Sequence, residues 1–155
     1  MNIIIRKLYK LPVNLVLTFA LLMLGANLAK IGFPITFKYQ AIVSVVVFFS
    51  GAVIILVGGY AFRKANTTFD PSNPEQASKL VTNGIYKLSR NPMYVGFFLW
   101  VLSFAIFSGN PVNLLLLPIF VILVNKLYII PEEKALEKIF DNEFQEYKQN
   151  VRRWI

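Results

Sequence analysis

Four runs of apolar residues, separated by polar segments, dominate the sequence: residues 11–28, 41–62, 93–107 and 114–130. The first run carries no charge and would span about 27 Å as an α-helix, close to the hydrocarbon thickness of a bilayer. The second stops abruptly at Arg63 and is the clearest candidate span. The third would span only about 22 Å, so a tilted or re-entrant segment is an alternative there. The pattern predicts an all-α, polytopic membrane helical bundle with four transmembrane helices.

The start of the chain allows one alternative. Arg6, Lys7 and Lys10 precede the first apolar run, as basic residues precede the core of a cleaved signal peptide. Ala26 and Ala29 are small residues near a possible cleavage site. The run is long for a signal-peptide core, which favours a first transmembrane helix.

Prolines divide the C-terminal third of the chain. Residues 108–111, Ser-Gly-Asn-Pro, predict a turn that makes the third and fourth runs a helical hairpin. Pro118 should kink the fourth helix unless it lies in the first turn. After Pro131, apolar residues recur at intervals of three and four and predict a separate amphipathic helix on the membrane surface or against the bundle. These residues are Leu136, Ile139, Phe140, Phe144, Tyr147 and Val151.

Basic residues are distributed unevenly between the two ends of the predicted spans. Three precede the first run, five lie in the polar connection between the second and third runs, and six follow from Lys126 onward. The two remaining loops hold only Lys30 and Lys38, so fourteen of sixteen share one side. This bias predicts that both termini are cytoplasmic. The membrane would be the inner or plasma membrane of a bacterium or the endoplasmic reticulum of a eukaryote.

Composition excludes several classes of function. The 155 residues are 56% apolar, carry a formal charge of +8 and include no Cys and no His. Thiol, zinc and imidazole chemistry are therefore excluded, and we predict no metal site. The basic residues lie beside apolar runs, which favours contact with anionic lipid headgroups over nucleic acid. All acidic residues follow position 69 and lie outside the apolar runs, which argues against a proton-coupled transporter.

A first motif lies before the third apolar run, in residues 80–86 and 90–96. One interpretation is structural: Asn91 caps a helix, Pro92 takes its first position, and Gly96 lets a neighbouring helix approach.

A second interpretation of this motif is a binding site. A helix N-terminus at the membrane surface, with Arg90 beside it, would accept a carboxylate or phosphate. Tyr86 and Tyr94 would line an adenine or acyl pocket, although tyrosines are also common at membrane interfaces.

A second motif is Pro131-Glu132-Glu133. Two acids in the first turn of a helix are ordinary complements to the helix dipole. Adjacent carboxylates just below the headgroups could equally hold an ammonium group or ribose hydroxyls. The residues leave both interpretations open.

In this order and spacing, the two motifs resemble the isoprenylcysteine carboxyl methyltransferase family and its phospholipid methyltransferase relatives. The family pattern runs Leu-Val-Thr-x-Gly-x-Tyr, Arg-His-Pro-x-Tyr-x-Gly, a hydrophobic hairpin, and Glu-Glu-x-x-Leu-x-x-x-Phe-Gly-x-Glu-Tyr-x-x-Tyr. The resemblance covers residues 78–155, within a chain that we take as a single domain, 1–155. The matching residues are Leu80, Val81, Thr82, Gly84, Tyr86, Arg90, Pro92, Tyr94, Gly96, Glu132, Glu133, Leu136, Phe140, Glu143 and Tyr147.

The resemblance implies methyl transfer from S-adenosylmethionine to a carboxylate, or another oxygen or nitrogen, of a lipid-like or prenylated acceptor at the cytoplasmic face. Alternatives are a phospholipid N-methyltransferase, an NADPH-dependent sterol reductase, and a non-catalytic scaffold or degenerate paralogue. No catalytic residue is assigned, and the oligomeric state is not predicted. The resemblance places the cofactor among Leu80, Val81, Tyr86, Arg90, Asn91, Pro92, Tyr94, Gly96, Leu99, Glu132 and Glu133.

The sequence departs from the family pattern at several positions. Asn91 replaces the histidine, Asp141 the glycine and Phe144 the first tyrosine. Where the eukaryotic enzymes have a substrate-contacting arginine upstream of the Glu pair, this chain has Tyr128, with Lys126 the nearest base. These two residues are the candidates for contact with the acceptor.

Overall fold

The computed structural model describes residues 11–66 and 78–155, and within these ranges the chain forms four long helices and no strand. The basic residues before the first run, and residues 67–77 of the polar connection between the second and third, lie outside the described residues. The helices are α1 (Pro12–Leu28), α2 (Gln40–Lys64), α3 (Pro92–Ser108) and α4 (Pro111–Asn150). The predicted all-α fold is confirmed.

Helices α1, α2 and α3 agree with the first three predicted apolar runs within about two residues, whereas α4 includes the fourth run and continues beyond it. Of those described, α2 and α4 are long and apolar enough to cross a membrane, whereas α1 and α3 are apolar but have 17 residues each. Large apolar side chains such as Leu21, Phe49 and Leu56 are exposed on the outside of the bundle. Exposed apolar surface of this extent is typical of a helical membrane protein. That all four helices span the bilayer remains a prediction.

Helices α2 and α3 form the closest contact. A Cβ atom on Gly96 would lie 2.7 Å from the carbonyl oxygen of Gly51, so the absence of a side chain lets the two backbones meet. Trp100 stacks on Phe48 with ring centroids 5.3 Å apart, and its indole nitrogen donates to the Phe48 carbonyl. The predicted packing role of Gly96 is therefore observed.

Helix α1 closes the bundle against α3 and α4. Its Leu15, Val16, Phe19 and Met23 are buried in the main core, and Phe19 meets Phe120 of α4 edge to face at 5.2 Å. This packing holds the C-terminal half of the chain, which carries both motifs, on a fixed scaffold.

The predicted amphipathic helix is observed as Ile130–Asn150, but it is not separate: α4 runs 40 residues without a break at Pro131 and joins it to the fourth apolar run. Residues Asn125–Ile129 form a π-helical turn in which the Ile130 amide donates to the Asn125 carbonyl, five residues back. A widened turn of this kind accommodates the missing N–H and the bulk of Pro131. Pro118 is the third residue of the α-helical part, Leu116–Val124. It therefore lies in a first turn, the position at which no kink is expected.

Helix α4 is interrupted nearer its C-terminus, at Asp141. This residue has φ 35° and ψ −109°, a backbone conformation that side chains with a Cβ rarely adopt. The family pattern has glycine at this position, and glycine alone reaches such angles without steric cost. The departure at Asp141 therefore places strain in the backbone.

Replacing Asp141 with Gly is expected to raise the free energy of unfolding by about 1 kcal/mol, because relief of the strained conformation exceeds the added entropy of the unfolded chain. Asp141→Ala is the control, since it removes the carboxylate and keeps the strain. Thermal unfolding in detergent should rank Gly above both Ala and wild type. An Ala variant as stable as the Gly variant would contradict the strain explanation.

A polar cluster connects the helices at the end of the bundle where α1 ends and α3 turns into α4. Asn110, in the turn after α3, donates to Asn27 Oδ1 at 2.9 Å and to the Ile31 carbonyl at 2.7 Å. Gly109 ends α3 in the left-handed conformation, φ 62°, that allows this turn. The cluster joins the end of α1 to the α3–α4 turn and positions the hairpin.

The described basic residues follow the predicted asymmetry. Arg63 and Lys64 end α2 at the same end of the bundle as Arg90, whereas Lys30 and Lys38 lie at the other end. Which end faces the cytoplasm remains a prediction.

The topology can be tested with single cysteines, since the chain contains none. Exposed positions Asn83 and Lys38 lie at opposite ends of the bundle, so Asn83→Cys should be labelled from the cytoplasmic side and Lys38→Cys from the other. Membrane-impermeant maleimide applied to intact cells and to inverted vesicles distinguishes the two. Labelling of both cysteines from one side would rule out the predicted topology.

Candidate functional site

The two motifs meet at one end of the bundle. The Tyr94 hydroxyl, in the first turn of α3, donates to Glu132 Oε2 at 3.2 Å. The neighbouring Arg90 Nη2 donates to Glu133 Oε1 at 2.8 Å. The predicted α3–α4 hairpin returns the chain to the same end of the bundle and so brings the two motifs together.

Glu133 is the centre of a buried ion-pair network. Its side chain is 9% exposed and it receives Arg90 on Oε1. Arg153, near the end of the chain, donates from Nε to Oε1 at 3.1 Å and from Nη2 to Oε2 at 2.6 Å. Burial acts to raise the pKa of Glu133, but the hydrogen bonds from Arg153 and Arg90 outweigh it and lower the pKa. The anion that Arg90 binds in this structure is therefore Glu133.

Glu132 is held differently. It lies just beyond the fourth apolar run, and in the part of the chain that the structure describes no cation lies within ion-pairing distance of it. Burial raises the pKa of Glu132 to about 7; the hydrogen bond from Tyr94 opposes this shift and the charge of Glu133 adds to it. A carboxylate without a cation, among low-dielectric neighbours, is a natural partner for a positively charged ligand. Because α4 continues through Ile129 in helical conformation, Glu132 complements no free helix N-terminus.

Asn91 is the N-cap residue of α3 and Pro92 its first helical residue, as predicted. The Asn91 carbonyl accepts from the Tyr94 amide at 3.0 Å, but its side chain makes no capping hydrogen bond. That side chain donates instead to the Arg153 carbonyl at 3.0 Å. Side-chain capping is therefore a wrong prediction, and the Asn91 amide is turned instead toward the C-terminal residues, to which its Nδ2 donates.

A second hydrophobic cluster packs the first motif against the last part of α4. Tyr86 packs with Phe144 and Tyr147, and the Tyr147 hydroxyl donates to the Tyr86 carbonyl at 2.6 Å. Leu80 and Val81 lie against this cluster. The first motif thus anchors the tail of α4, and the burial of Tyr86 raises its pKa well above the ordinary value.

Other predicted site residues lie further from the two carboxylates. The ring of Tyr128 lies 5.9 Å from that of Tyr94, and its hydroxyl donates to the Leu11 carbonyl. Gly96 and Leu99 face Gly51 of α2, and Lys126 is exposed. Cofactor or acceptor contact by any of these residues remains a prediction.

The sequence interpretation missed Arg153 and its neighbour Trp154. Both belong to a C-terminal Arg-Arg-Trp cluster, which counted only toward the charge asymmetry. An arginine and a tryptophan directly after an amphipathic helix could have indicated a segment that folds back onto the bundle.

Comparison with known proteins identifies the family. The family model described as phospholipid methyltransferase matches residues 39–143, more than half of the chain. A protein-S-isoprenylcysteine O-methyltransferase of Saccharomyces cerevisiae is 32% identical over 111 residues, covering 65% of this chain and 45% of the relative. Its namesake in Schizosaccharomyces pombe is 38% identical over 72 residues, which are 46% of this chain and 30% of that protein. An uncharacterized protein of Haemophilus influenzae is 38% identical over 63 residues, 41% of this chain and 100% of that protein.

The chain spans less than half the length of the two yeast relatives that it matches. No solved structure matches it. The relatives confirm the resemblance to isoprenylcysteine carboxyl methyltransferases, and the family model covers both α2 and the two motifs. The chain belongs to the phospholipid methyltransferase family.

Proposed function

We propose that this protein is an S-adenosylmethionine-dependent methyltransferase that acts on a carboxylate of a lipid-like or prenylated acceptor at the cytoplasmic face of the membrane. The observation that carries the proposal is Glu132, a half-buried carboxylate that meets Tyr94 where the two family motifs converge. Family membership and the names of the relatives support methyl transfer.

The residues at this position fit S-adenosylmethionine, which carries a sulfonium and an α-ammonium cation. Glu132 lacks a cationic partner among the described residues, whereas the adjacent Glu133 has two. The Tyr94 hydroxyl binds Glu132, and the Tyr94 ring lies 5.9 Å from that of Tyr128; aromatic faces attract cations. A carboxylate next to aromatic rings is a donor set suited to a sulfonium or ammonium ligand.

When bound, S-adenosylmethionine supplies a methyl group that is attached to a positively charged sulfur. The thioether that this sulfur becomes is an excellent leaving group. The chain then needs to align the two reactants and exclude water. Glu132 would hold the cationic end, Tyr94 would fix the rotamer of Glu132, and the cluster around Tyr86 would keep the site dry. A carboxylate acceptor needs no general base, so none is assigned.

The acceptor class distinguishes this proposal from its main alternative. The yeast relatives are named isoprenylcysteine O-methyltransferases, so the atom that they methylate is an oxygen. The family model, in contrast, is described as phospholipid methyltransferase. An amine acceptor would have to lose a proton, and Glu132, with a pKa of about 7, would be placed to take it. A phospholipid N-methyltransferase is therefore the second candidate.

Methyl-labelled S-adenosylmethionine, supplied to purified protein in detergent, tests the proposal. A farnesylated cysteine with a free carboxylate should acquire base-labile label, while phosphatidylethanolamine vesicles should not. Label in the phospholipid would support the second candidate. Failure to bind S-adenosylmethionine at all would favour a non-catalytic scaffold.

A further inference from the structure

The last five residues, 151–155, form a segment that we call the C-terminal strap. It leaves α4 in extended conformation at Val151 and crosses the start of α3. Arg90 Nη1 donates to the Val151 carbonyl at 2.6 Å, and the Arg90 amide donates to the Arg152 carbonyl at 2.9 Å. With the bond from Asn91 to the Arg153 carbonyl, the residues directly before α3 bind the strap backbone.

Two side chains of the strap reach further into the bundle. The Trp154 indole donates to Asn125 Oδ1 in the π-helical turn at 3.2 Å, and its ring lies 6.5 Å from that of Phe98. The guanidinium of Arg153 binds both oxygens of Glu133. The strap therefore connects the start of α3, the π-helical turn and the second of the two adjacent carboxylates.

We propose that Arg153 is a positioning residue of the cofactor site: by engaging both oxygens of Glu133, it leaves Glu132 as the carboxylate that faces Tyr94 and the bound cation. This inference rests on the proposed function. Glu132 and Glu133 are adjacent in sequence and chemically identical, so the choice between them depends on what surrounds each. Arg90 contacts only Oε1 of Glu133, and Arg153 supplies the sole described contact to Oε2.

Loss of Arg153 should alter the charge of Glu132. Without this guanidinium, the negative charge of Glu133 would be compensated only by Arg90, and the field at Glu132 would become more negative. The ionisation of Glu132 would then require a higher pH, and its affinity for a cation at neutral pH would fall. The titratable and charged groups around it are Tyr94 of α3, Tyr86 and Arg90 before α3, Arg153 of the strap, and Tyr128 and Glu133 of α4.

The experiment uses the full chain in detergent and calorimetric titration with S-adenosylmethionine between pH 6.5 and 8.5. Arg153→Gln should bind about fivefold more weakly than wild type at pH 7, with the difference shrinking at pH 8.5, because a pKa rise of less than one unit changes binding by less than tenfold. Arg152→Gln is the matched control: it removes the same charge from the same strap, but its side chain is exposed. Its affinity should equal that of wild type.

Equal binding by Arg153→Gln and Arg152→Gln would overturn the inference and leave the proposed function standing. A loss of the same size at every pH would also overturn it, since a purely structural role would not follow the ionisation of Glu132. If Arg153→Gln does not fold, Arg153→Lys loses the two-oxygen geometry but keeps the positive charge. Because the effect on Glu132 is electrostatic, this variant should bind within about twofold of wild type. A tenfold loss in folded Arg153→Lys would overturn the inference, and failure of wild type to bind would overturn the proposed function with it.

Discussion

Replacing Glu132 with Gln is expected to lower the affinity for S-adenosylmethionine by about ten- to over a hundredfold while the bundle stays folded. A charge-assisted hydrogen bond in an enclosed site contributes about 1.5–3 kcal/mol, and each 1.4 kcal/mol is about tenfold in binding. Gln keeps the shape of the side chain and can still accept from Tyr94. The loss would therefore come from the charge.

The stability of the Glu132→Gln variant follows from the pKa shift. Burial raises the pKa of Glu132 from 4.5 to about 7, so the folded state disfavours the ionised form. This penalty is absent below pH 4.5, grows as the pH rises, and is complete above pH 7. At pH 8 the Gln variant, which cannot ionise, should unfold at a temperature no lower than wild type.

The pH dependence of binding provides a second measurement. Wild-type affinity should increase from pH 6 to pH 8, as Glu132 ionises through a pKa of about 7. The Gln variant should show no such increase. Glu137→Gln is the control, because Glu137 is an acid on the same helix that pairs with Lys148 and not with the groups around Glu132. Equal affinities of wild type and Glu132→Gln would remove Glu132 from the site.

Breaking the buried ion-pair network should have the largest effect on stability. Arg90→Leu leaves Glu133 with one cationic partner and also removes the bonds to the Lys148 and Val151 carbonyls. The Arg90 and Glu133 side chains are only 10% and 9% exposed. Removing one partner of a buried pair costs about 3–5 kcal/mol where the other charge is left uncompensated. Because Arg153 still pairs with Glu133, Arg90→Leu should lie near the lower end of this range. Glu133→Leu should cost a similar amount.

A double-mutant cycle measures the coupling. The Arg90→Leu, Glu133→Leu double variant should be less destabilised than the sum of the single variants, because neither charge is left without its partner. Lys148→Gln breaks a partly exposed ion pair on α4 and should cost less than about 1 kcal/mol. Unfolding can be followed by circular dichroism in detergent. Additive single effects would show that Arg90 and Glu133 contribute independently.

Much of the architecture could be predicted from local pattern. Apolar runs of helical length marked α1 to α4 because a chain in lipid must satisfy its backbone hydrogen bonds within each helix. Asn91 and Pro92 marked the start of α3, since their local preferences suit the N-cap and first helical position. The family pattern has glycine at 141, a residue type that suits the positive φ of Asp141, but no backbone conformation was predicted there.

The candidate site could be predicted only in part. Family spacing identified both motifs, and the hairpin explained how Arg90 and Tyr94 reach the Glu pair. The family spacing did not distinguish Glu132 from Glu133, because the two side chains differ only in their surroundings. Nor did Pro131 reveal that α4 continues, since the π-helical turn that accommodates it depends on packing around Asn125.

By itself, the sequence determined the helices, their apolar faces, the charge asymmetry and the membership of both motifs in one family. These properties depend on residues that are close in sequence or on fixed spacing. The tertiary structure alone decided that Arg153 returns to Glu133, that Asn91 binds the strap rather than capping α3, and that Glu132 lacks a cationic partner among the described residues. Such choices depend on contacts between residues 20 to 62 positions apart, for which no local pattern exists.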